Sequence, residues 1–329
     1  ETTQCVYWDE DQVTAGGRRM KPFFKPAWSP ELWLSLDILD TFALRTGCFS
    51  QALPQPSLAH LKAWVAGTQK PVHIARVLTY FKPATPVENR SRFDQHAQCV
   101  SLYLDNLGAR DIQVQPEDDG VLKATWAVKV EKVSIIIPTR DNLVFLRRCI
   151  ETLLEKTGYP DYEIILVDNH STDEGVLGYY TEILSRHPSI RVFPYDQAFN
   201  FSAACNLGAS SAQGSLLLFL NNDIEIIEPG WLEEMVRVAQ LPGVGIAGAR
   251  LFYPNGRLQH AGIVVGMTGH ANHVGIKGKL WQNSPYGPAN VRRNCSAVTG
   301  ACMLIRSDVF QAIHGFREDY RLVFNDVEI

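Results

Sequence analysis

Three acidic residues in the second half of the chain sit where they could do chemistry. Asp168 follows the run Ile164-Ile165-Leu166-Val167, Asp223 ends Leu218-Phe219-Leu220-Asn221-Asn222-Asp223, and Asp326 lies in Phe324-Asn325-Asp326-Val327-Glu328. The first two come after apolar runs that read as strands. Carboxylates at strand ends of an open α/β sheet face the crevice where ligands bind. Moving a group from a nucleotide-activated donor to a hydroxyl needs polar contacts for the nucleotide. It needs a hard cation on oxygen ligands for the diphosphate and a general base for the hydroxyl. Asp168, Asp223 and Asp326 could fill these roles in that order.

Each acid also has a plainer reading. Asp223 could cap a turn or helix with Asn221 and Asn222. Asp168 could be an N-cap, although Ser171 or Thr172 could cap the next helix and leave it free. Asp326 has apolar neighbours, Val323, Phe324 and Val327, that suit a base needing a closed setting. It could equally start an ordinary helix with Asn325. Thr139, Arg140 and Asp141 follow a further apolar run and could line the same crevice. His260, His270 and His273 lack nearby cysteines or a fixed helical spacing, so surface or core histidines fit them better than a metal site. The run Gly243–Gly248 spells GxGxxG but follows a helix rather than a strand, so it is not read as a dinucleotide fingerprint.

The elements that must hold these residues alternate. Val133–Pro138, Glu163–Val167, Ile190–Phe193 and Ser215–Leu220 are predicted strands. Leu143–Lys156, Thr172–Ser185, Ser202–Ala212 and Pro229–Gln240 are predicted helices. This order predicts an α/β fold over residues 132–329, Rossmann-like, with a mostly parallel sheet between helices. Residues 1–115 differ. They hold a Pro-, Phe- and Trp-rich stretch from Met20 to Leu34, a short helix Leu58–Val65, a strand Val72–Phe81 and an amphipathic helix Gln95–Leu107. Residues 116–131, opening on Pro116-Glu117-Asp118-Asp119-Gly120, are the expected linker.

A chain of 329 residues, 46% hydrophobic, suffices for about two domains. A net charge of -4 without any run of five or more basic residues leaves no electrostatic footprint for nucleic acid. Seven cysteines without a CxxC suit reduced thiols in a cytosolic protein better than a disulfide framework or zinc. No apolar run approaches the ~20 residues of a membrane span. The chain starts at Glu1 and stops at Ile329 inside what reads as a motif, as a fragment of a longer protein would.

Together the motifs resemble family 2 glycosyltransferases of the GT-A fold. The matching stretches are Val133–Asp141, Glu163–Asn169 with Ser171-Thr172-Asp173, Phe199–Ser202, Phe219–Asp223, Ala297–Cys302 and Phe324–Val327. Each is weak singly; their order over one domain is specific. The resemblance implies an inverting transfer in which Thr139, Asp141, Asp168, Asn169, Asn200 and Asn222 bind the nucleotide sugar. Asp223 looks like the aspartate of a DxD-type motif, with Asn221 in its first position, that holds Mg²⁺ or Mn²⁺. Asp326 looks like the base. The implied partners are a nucleotide-sugar donor and a glycan or lipid-linked acceptor, with no nucleic acid. The implied setting is the cytoplasm, and peripheral association with the inner membrane stays open. Family members continue through a helix and a distal His beyond the point matching Ile329.

The N-terminal part is similar to another GT-A domain. Tyr7-Trp8-Asp9-Glu10-Asp11, Gly17-Arg18, Pro22–Pro26 and Trp28-Ser29-Pro30 resemble a DxD strand end and its following loop, with Asp9 and Asp11 as the two acids. An acidic turn is the plainer reading. Tandem enzymes of bacterial surface-polysaccharide synthesis, such as O-antigen assembly, carry such pairs. No acid occurs between Asp40 and Glu88, where a base is expected near Gln55–Leu58, and Tyr80 stands where a metal-binding His is often found. Residues 1–115 are therefore expected to be half of a degenerate module. A non-catalytic sugar-binding scaffold is the rival reading. A nucleotidyltransferase is a weaker one, because Pro138–Asn142 lacks the glycines of a phosphate loop.

Overall fold

Alternating burial along Cys5–Val13 marks the first strand, β1, of the computed structural model, which describes residues 3–48, 57–68, 70–117, 121–278 and 290–329. The chain divides into two units, Glu1–Ala127 with Gly278–Asn294, and Val128–Lys277 with Cys295–Ile329. In the first unit β1 pairs antiparallel with β2 (Arg19–Phe23) and β3 (Phe42–Leu44), and parallel with β4 (Val72–Phe81). Helix α1 (Pro30–Trp33) lies between β2 and β3 in the chain, and α2 (Leu58–Thr68) precedes β4. Of the stretch Gln55–Leu58, residues 55 and 56 lie outside the described residues.

Helix α3 (Pro86–Asn106) starts well ahead of the predicted Gln95. Its start is a capping box. The Thr85 hydroxyl accepts from the Glu88 N–H at 3.3 Å, and the Glu88 carboxylate accepts from the Thr85 N–H at 2.7 Å. Pro86 supplies a first position that needs no donor. The first turns are exposed and polar, so they show no apolar stripe.

The expected linker at 116–131 is corrected. β5 (Gln113–Pro116) and β6 (Leu122–Thr125) form an antiparallel hairpin, and Leu122 and Ala124 are buried in the first unit. The Leu122 N–H donates to the Ser35 carbonyl at 2.8 Å, and Arg292 donates to the Ala124 carbonyl at 2.9 Å. Alternating apolar side chains outweighed the acidic turn, whose residues 118–120 lie outside the described residues. Residues 290–294 likewise belong with the first unit rather than with the domain expected over 132–329.

The second unit is built on six strands. In chain order these are β7 (Val133–Thr139), β8 (Tyr162–Asp168), β9 (Ile190–Pro194), β10 (Leu216–Leu220), β11 (Ile246–Gly248) and, after two small hairpins, β16 (Cys302–Arg306). The hairpins are β12 (Leu251–Phe252) with β13 (Leu258–His260), and β14 (Ile263–Val265) with β15 (Ala271–His273). The spatial order is β11-β16-β10-β7-β8-β9, with β10, β7, β8 and β9 parallel and β16 antiparallel to its neighbours. Strands buried on both faces read as unbroken apolar runs, and every residue of β7 and β10 is buried.

Helices α4 (Leu143–Lys156), α5 (Glu174–Arg186) and α7 (Trp231–Ala239) pack on one face through Leu146, Ile150, Val176, Ile183, Leu232 and Val236. The other face takes α6 (Phe201–Ser210) and α8 (Ser307–Ala312), with Phe316 meeting Phe219 and Phe310 edge to face. Each such ring contributes roughly 1.5–3 kcal/mol by burial. Helix α6 lies hard against the sheet at Gly208, where a Cβ would come within 2.3 Å of Ile136. Two helix starts differ from expectation. Asp173 caps α5, so it begins at Glu174, and Gly230 at φ +80° delays α7 past Pro229.

Candidate functional site

The sheet changes direction between β7 and β10. From β7 the chain builds outward to β8 and β9, then returns to β10 on the opposite side. Ligands bind at such a switch point, at the carboxyl ends of the strands. Here β7 pairs with β8 as far as Thr139 but with β10 only as far as Ile136, so the two strands part. The Asn222 amide spans the gap, donating to the Thr139 hydroxyl at 2.9 Å.

Asp223 follows Asn222 in a solvent-exposed turn. Its carboxylate accepts no hydrogen bond and joins no ion pair among the described residues, so the capping reading does not apply. It does bear on Cys149, whose thiol is pushed up to about 12, first by burial and then by the Asp223 charge.

Asp168 is more engaged than expected. Its carboxylate accepts from Tyr180 Oη at 2.8 Å, from the Ser171 N–H at 3.1 Å and from the Ser171 hydroxyl. Ser171 thus does not cap the next helix, and Asp168 is not left free. Burial, then the bond to Asp168, raises the Tyr180 phenol. Asp141 ties the loops after β7 and β8 together. Its Oδ1 accepts from the N–H groups of Thr172 (2.7 Å) and Asp173 (3.0 Å), and these donors hold its carboxyl below the usual range, the Asp173 bond contributing most. Asn169 donates both amide protons, to the carbonyls of Tyr195 and Gln197, each at 2.8 Å. Its Oδ1 is buried without a partner among the described residues.

Asn200 has a role the sequence reading missed. It caps α6, accepting from the Ala203 N–H at 3.2 Å, and donates to the Glu318 carbonyl at 2.8 Å. Farther along the helix, Ser202 donates to the Tyr320 carbonyl at 2.7 Å. Asn206 pairs with both the carbonyl and the N–H of Phe316, at 2.9 and 3.0 Å. This row of short polar side chains clamps Phe316–Arg321, the segment that leads to α9 (Asn325–Glu328) and Asp326. The spacing of Asn200, Ser202 and Asn206 was the available signal.

One short stretch of backbone joins the groups. The Ala301 carbonyl accepts from the Asn221 N–H at 3.0 Å, and the Gly300 N–H donates to Asp326 Oδ2 at 3.1 Å. The Thr299 N–H donates to His260 Nε2 at 3.4 Å. Asp326 lines a cavity of about 340 Å³ with Ile263, Asn272, His273, Phe324 and Val327. Phe324, at φ +63°, precedes α9, so neither Asn325 nor Asp326 is its N-cap.

In the first unit Asp9 and Asp11 are not at a strand end. They lie within β1, on the face that also buries Cys5 and Tyr7. Asp9 Oδ1 accepts from His73 Nε2 at 2.7 Å and from the Lys25 N–H at 2.8 Å. Asp11 pairs with Arg19 at 2.5 Å, and its other oxygen is buried without a partner among the described residues. The strand runs on because β2 and β4 both pair with it past Asp9.

Among the described residues no group of three or more His, Cys, Asp or Glu side chains could by itself hold a metal ion. All seven cysteines are free thiols. No helix among the described residues is long and apolar enough to cross a membrane.

The second unit is thus a mixed α/β unit of the GT-A-like kind. The family model for glycosyl transferase family 2 matches residues 134–313, more than half of the chain, and the chain belongs to that family. It is 33% identical over 346 residues to the O-antigen biosynthesis protein RfbC of Myxococcus xanthus, covering 98% of this chain and 26% of that relative. It is 32% identical over 350 residues to the uncharacterized protein y4gI of Sinorhizobium fredii, covering 99% and 38%. The chain therefore spans well under half the length of these two relatives. Among solved structures it is similar to a mannosyltransferase of Pyrobaculum calidifontis in complex with GDP-Man and Mn²⁺. The identity is 16% and the TM-score 0.44, over 73% of this chain and 60% of that one.

Proposed function

We propose that the second unit transfers a sugar from a nucleotide-sugar donor to a hydroxyl of a glycan or lipid-linked glycan, with inversion, in bacterial surface-polysaccharide synthesis. The observation that carries this is the Thr299–Ala301 backbone. It holds the loop bearing exposed Asp223 on one side and Asp326, in its cavity, on the other.

A single exposed carboxylate fits a divalent cation that keeps its waters and takes its other ligands from phosphate oxygens. Asp223 would hold such a Mg²⁺ or Mn²⁺, which would neutralise charge on the departing diphosphate. Thr139, Asn222 and the loops tied by Asp141 and Asp168 shape the nucleotide side. Asp326, fixed by the Gly300 N–H, takes the proton of the acceptor hydroxyl as its oxygen attacks the anomeric carbon. The bond from that carbon to the phosphate oxygen breaks on the opposite face, which inverts the centre. Fixed positions and charge placement supply the rate.

The first unit is better read as non-catalytic, because its acids are occupied by His73, Arg19 and backbone donors.

Calorimetric titration of UDP-, GDP- and dTDP-sugars, with and without Mn²⁺, tests this reading on wild type and Asp223→Ala. Metal-dependent binding of one donor class, lost or strongly weakened in the variant, is expected for a cation held by one carboxylate. Equal binding by both proteins would sink the assignment of Asp223.

A further inference from the structure

The cavity beside Asp326 contains a second polar group that the reaction outlined above leaves unused. His273, on β15, lines it together with Asp326. Behind His273 lies His260, buried at 1% exposure, with the two Nδ1 atoms 2.8 Å apart and the rings nearly perpendicular.

Hydrogen-bond accounting fixes the protons. His260 Nε2 faces two donors, the N–H groups of Gly262 at 3.2 Å and Thr299 at 3.4 Å. It must therefore be the bare nitrogen, and the His260 proton sits on Nδ1. That proton is donated to His273 Nδ1, which must accept. Neutral His273 then carries its own proton on Nε2, the nitrogen without a partner among the described residues. Burial, then the neighbouring His273, pushes the His260 imidazole down to about 3, in keeping with a neutral ring.

The pair is also rigidly placed. Gly262 sits at φ +98°, and a Cβ there would meet Cys295 Sγ at 2.1 Å, so the connection from β13 to β14 requires glycine. Consecutive peptide N–H groups then hold the two sides of the cavity. Thr299 serves His260, and Gly300 serves Asp326. A carboxylate acceptor and an oriented N–H donor thus share one cavity, a pairing that suits two neighbouring hydroxyls of a sugar ring.

We propose that His273 is an acceptor-binding residue: its Nε2–H donates to a hydroxyl oxygen of the acceptor pyranose, next to the hydroxyl that Asp326 deprotonates. The role of Asp326 rests on the function proposed above. His260 acts through His273 and is a positioning residue.

The test is imidazole nitrogen NMR on the full chain, with a panel of methyl pyranosides as probes. UDP-, GDP- and dTDP-sugars with Mn²⁺ are titrated separately. His273 should show a bare Nδ1 and a protonated Nε2, and at least one glycoside should shift Nε2. His273→Phe should bind that glycoside at least tenfold more weakly with donor affinity unchanged, and His273→Gln, which retains an N–H donor, should recover most of the loss. A protonated Nδ1 on His273, no glycoside reaching Nε2, or equal glycoside affinity in His273→Phe would each overturn the proposal. Donor binding that depends on Asp223 while glycosides leave His273 untouched defeats the acceptor site alone. Glycosides that shift His273 while no donor binds wild type defeat the transferase reading and leave a sugar site.

Discussion

Acids on β1 and acids behind β10 are of the same residue type, yet the fold treats them in opposite ways. Asp9 and Asp11 point into the first unit from mid-strand and are met there by His73, Lys25 and Arg19. Asp223 stands beyond the end of its strand, its carboxylate exposed and without a hydrogen bond among the described residues. A carboxylate can serve an exogenous cation only if no internal cation or donor has claimed it. The difference lies in position relative to the strand end: Asp9 and Asp11 fall four and two residues before Val13, and Asp223 falls three residues after Leu220. Where β1 continues, its alternation turns acids inward. Where β10 stops at Leu220, the next residues turn outward.

The largest effect that sharpens this contrast belongs to Asp326, since no acid occurs between Asp40 and Glu88 of the first unit to take its part. Replacing Asp326 with Asn should lower transfer by roughly 10²–10⁴-fold, the usual range for a general base, with donor affinity retained. Radiolabelled-sugar incorporation into an extracted glycan acceptor reads it, and near-normal transfer would transfer the role elsewhere.

Asp9→Ala breaks the comparison from the other side. It strands the His73 ring and the Lys25 N–H, and should cost about 2–4 kcal/mol in urea unfolding. Donor binding should be untouched; a loss of Mn²⁺-dependent binding in a folded sample would mean that the first unit contributes a site.

A smaller effect concerns His260. Its folded-state pKa, about 3, lies below the unfolded value of about 6.5. The unfolded chain therefore binds the proton first, and stability falls as pH drops from 6.5 toward 3. At pH 5 the loss from this ring is about 2 kcal/mol. Denaturant midpoints at pH 5 and 7.5 should differ accordingly in wild type and less in His260→Gln. The first unit holds a buried histidine of its own, His96, whose imidazole is also pushed down by burial, so it is the difference between wild type and His260→Gln that isolates the His260 ring.

The smallest is Asn200→Ala. Loss of a helix cap predicts about 1 kcal/mol of destabilisation and a weakened hold on Phe316–Arg321. An unchanged melting temperature with weakened nucleotide binding would instead favour nucleotide binding, the role the family resemblance implied for Asn200.

The sheet of the second unit was legible because strands buried on both faces must be apolar throughout, and Val133–Pro138 and Leu216–Leu220 are. Asp223 was legible for the same reason, as the first charge after such a run. Three features were not. The start of α3 lies in a polar capping box without an apolar stripe. The Asn200, Ser202 and Asn206 row bonds to backbone carbonyls, which carry no residue identity for a sequence to display. His260 and His273 meet only because two hairpins bring them together, and no linear spacing encodes that.

The clamp on α6 also sets an order in time. Asn206 grips Phe316 across 110 positions of chain, so during synthesis this helix and the strands around it leave the ribosome well before the arm that bears Asp326. At about 5–20 residues per second, several seconds pass in which the crevice between β7 and β10 can form while the segment bearing Asp326 has yet to be made. The nascent chain thus forms its crevice before Asp326 can join it.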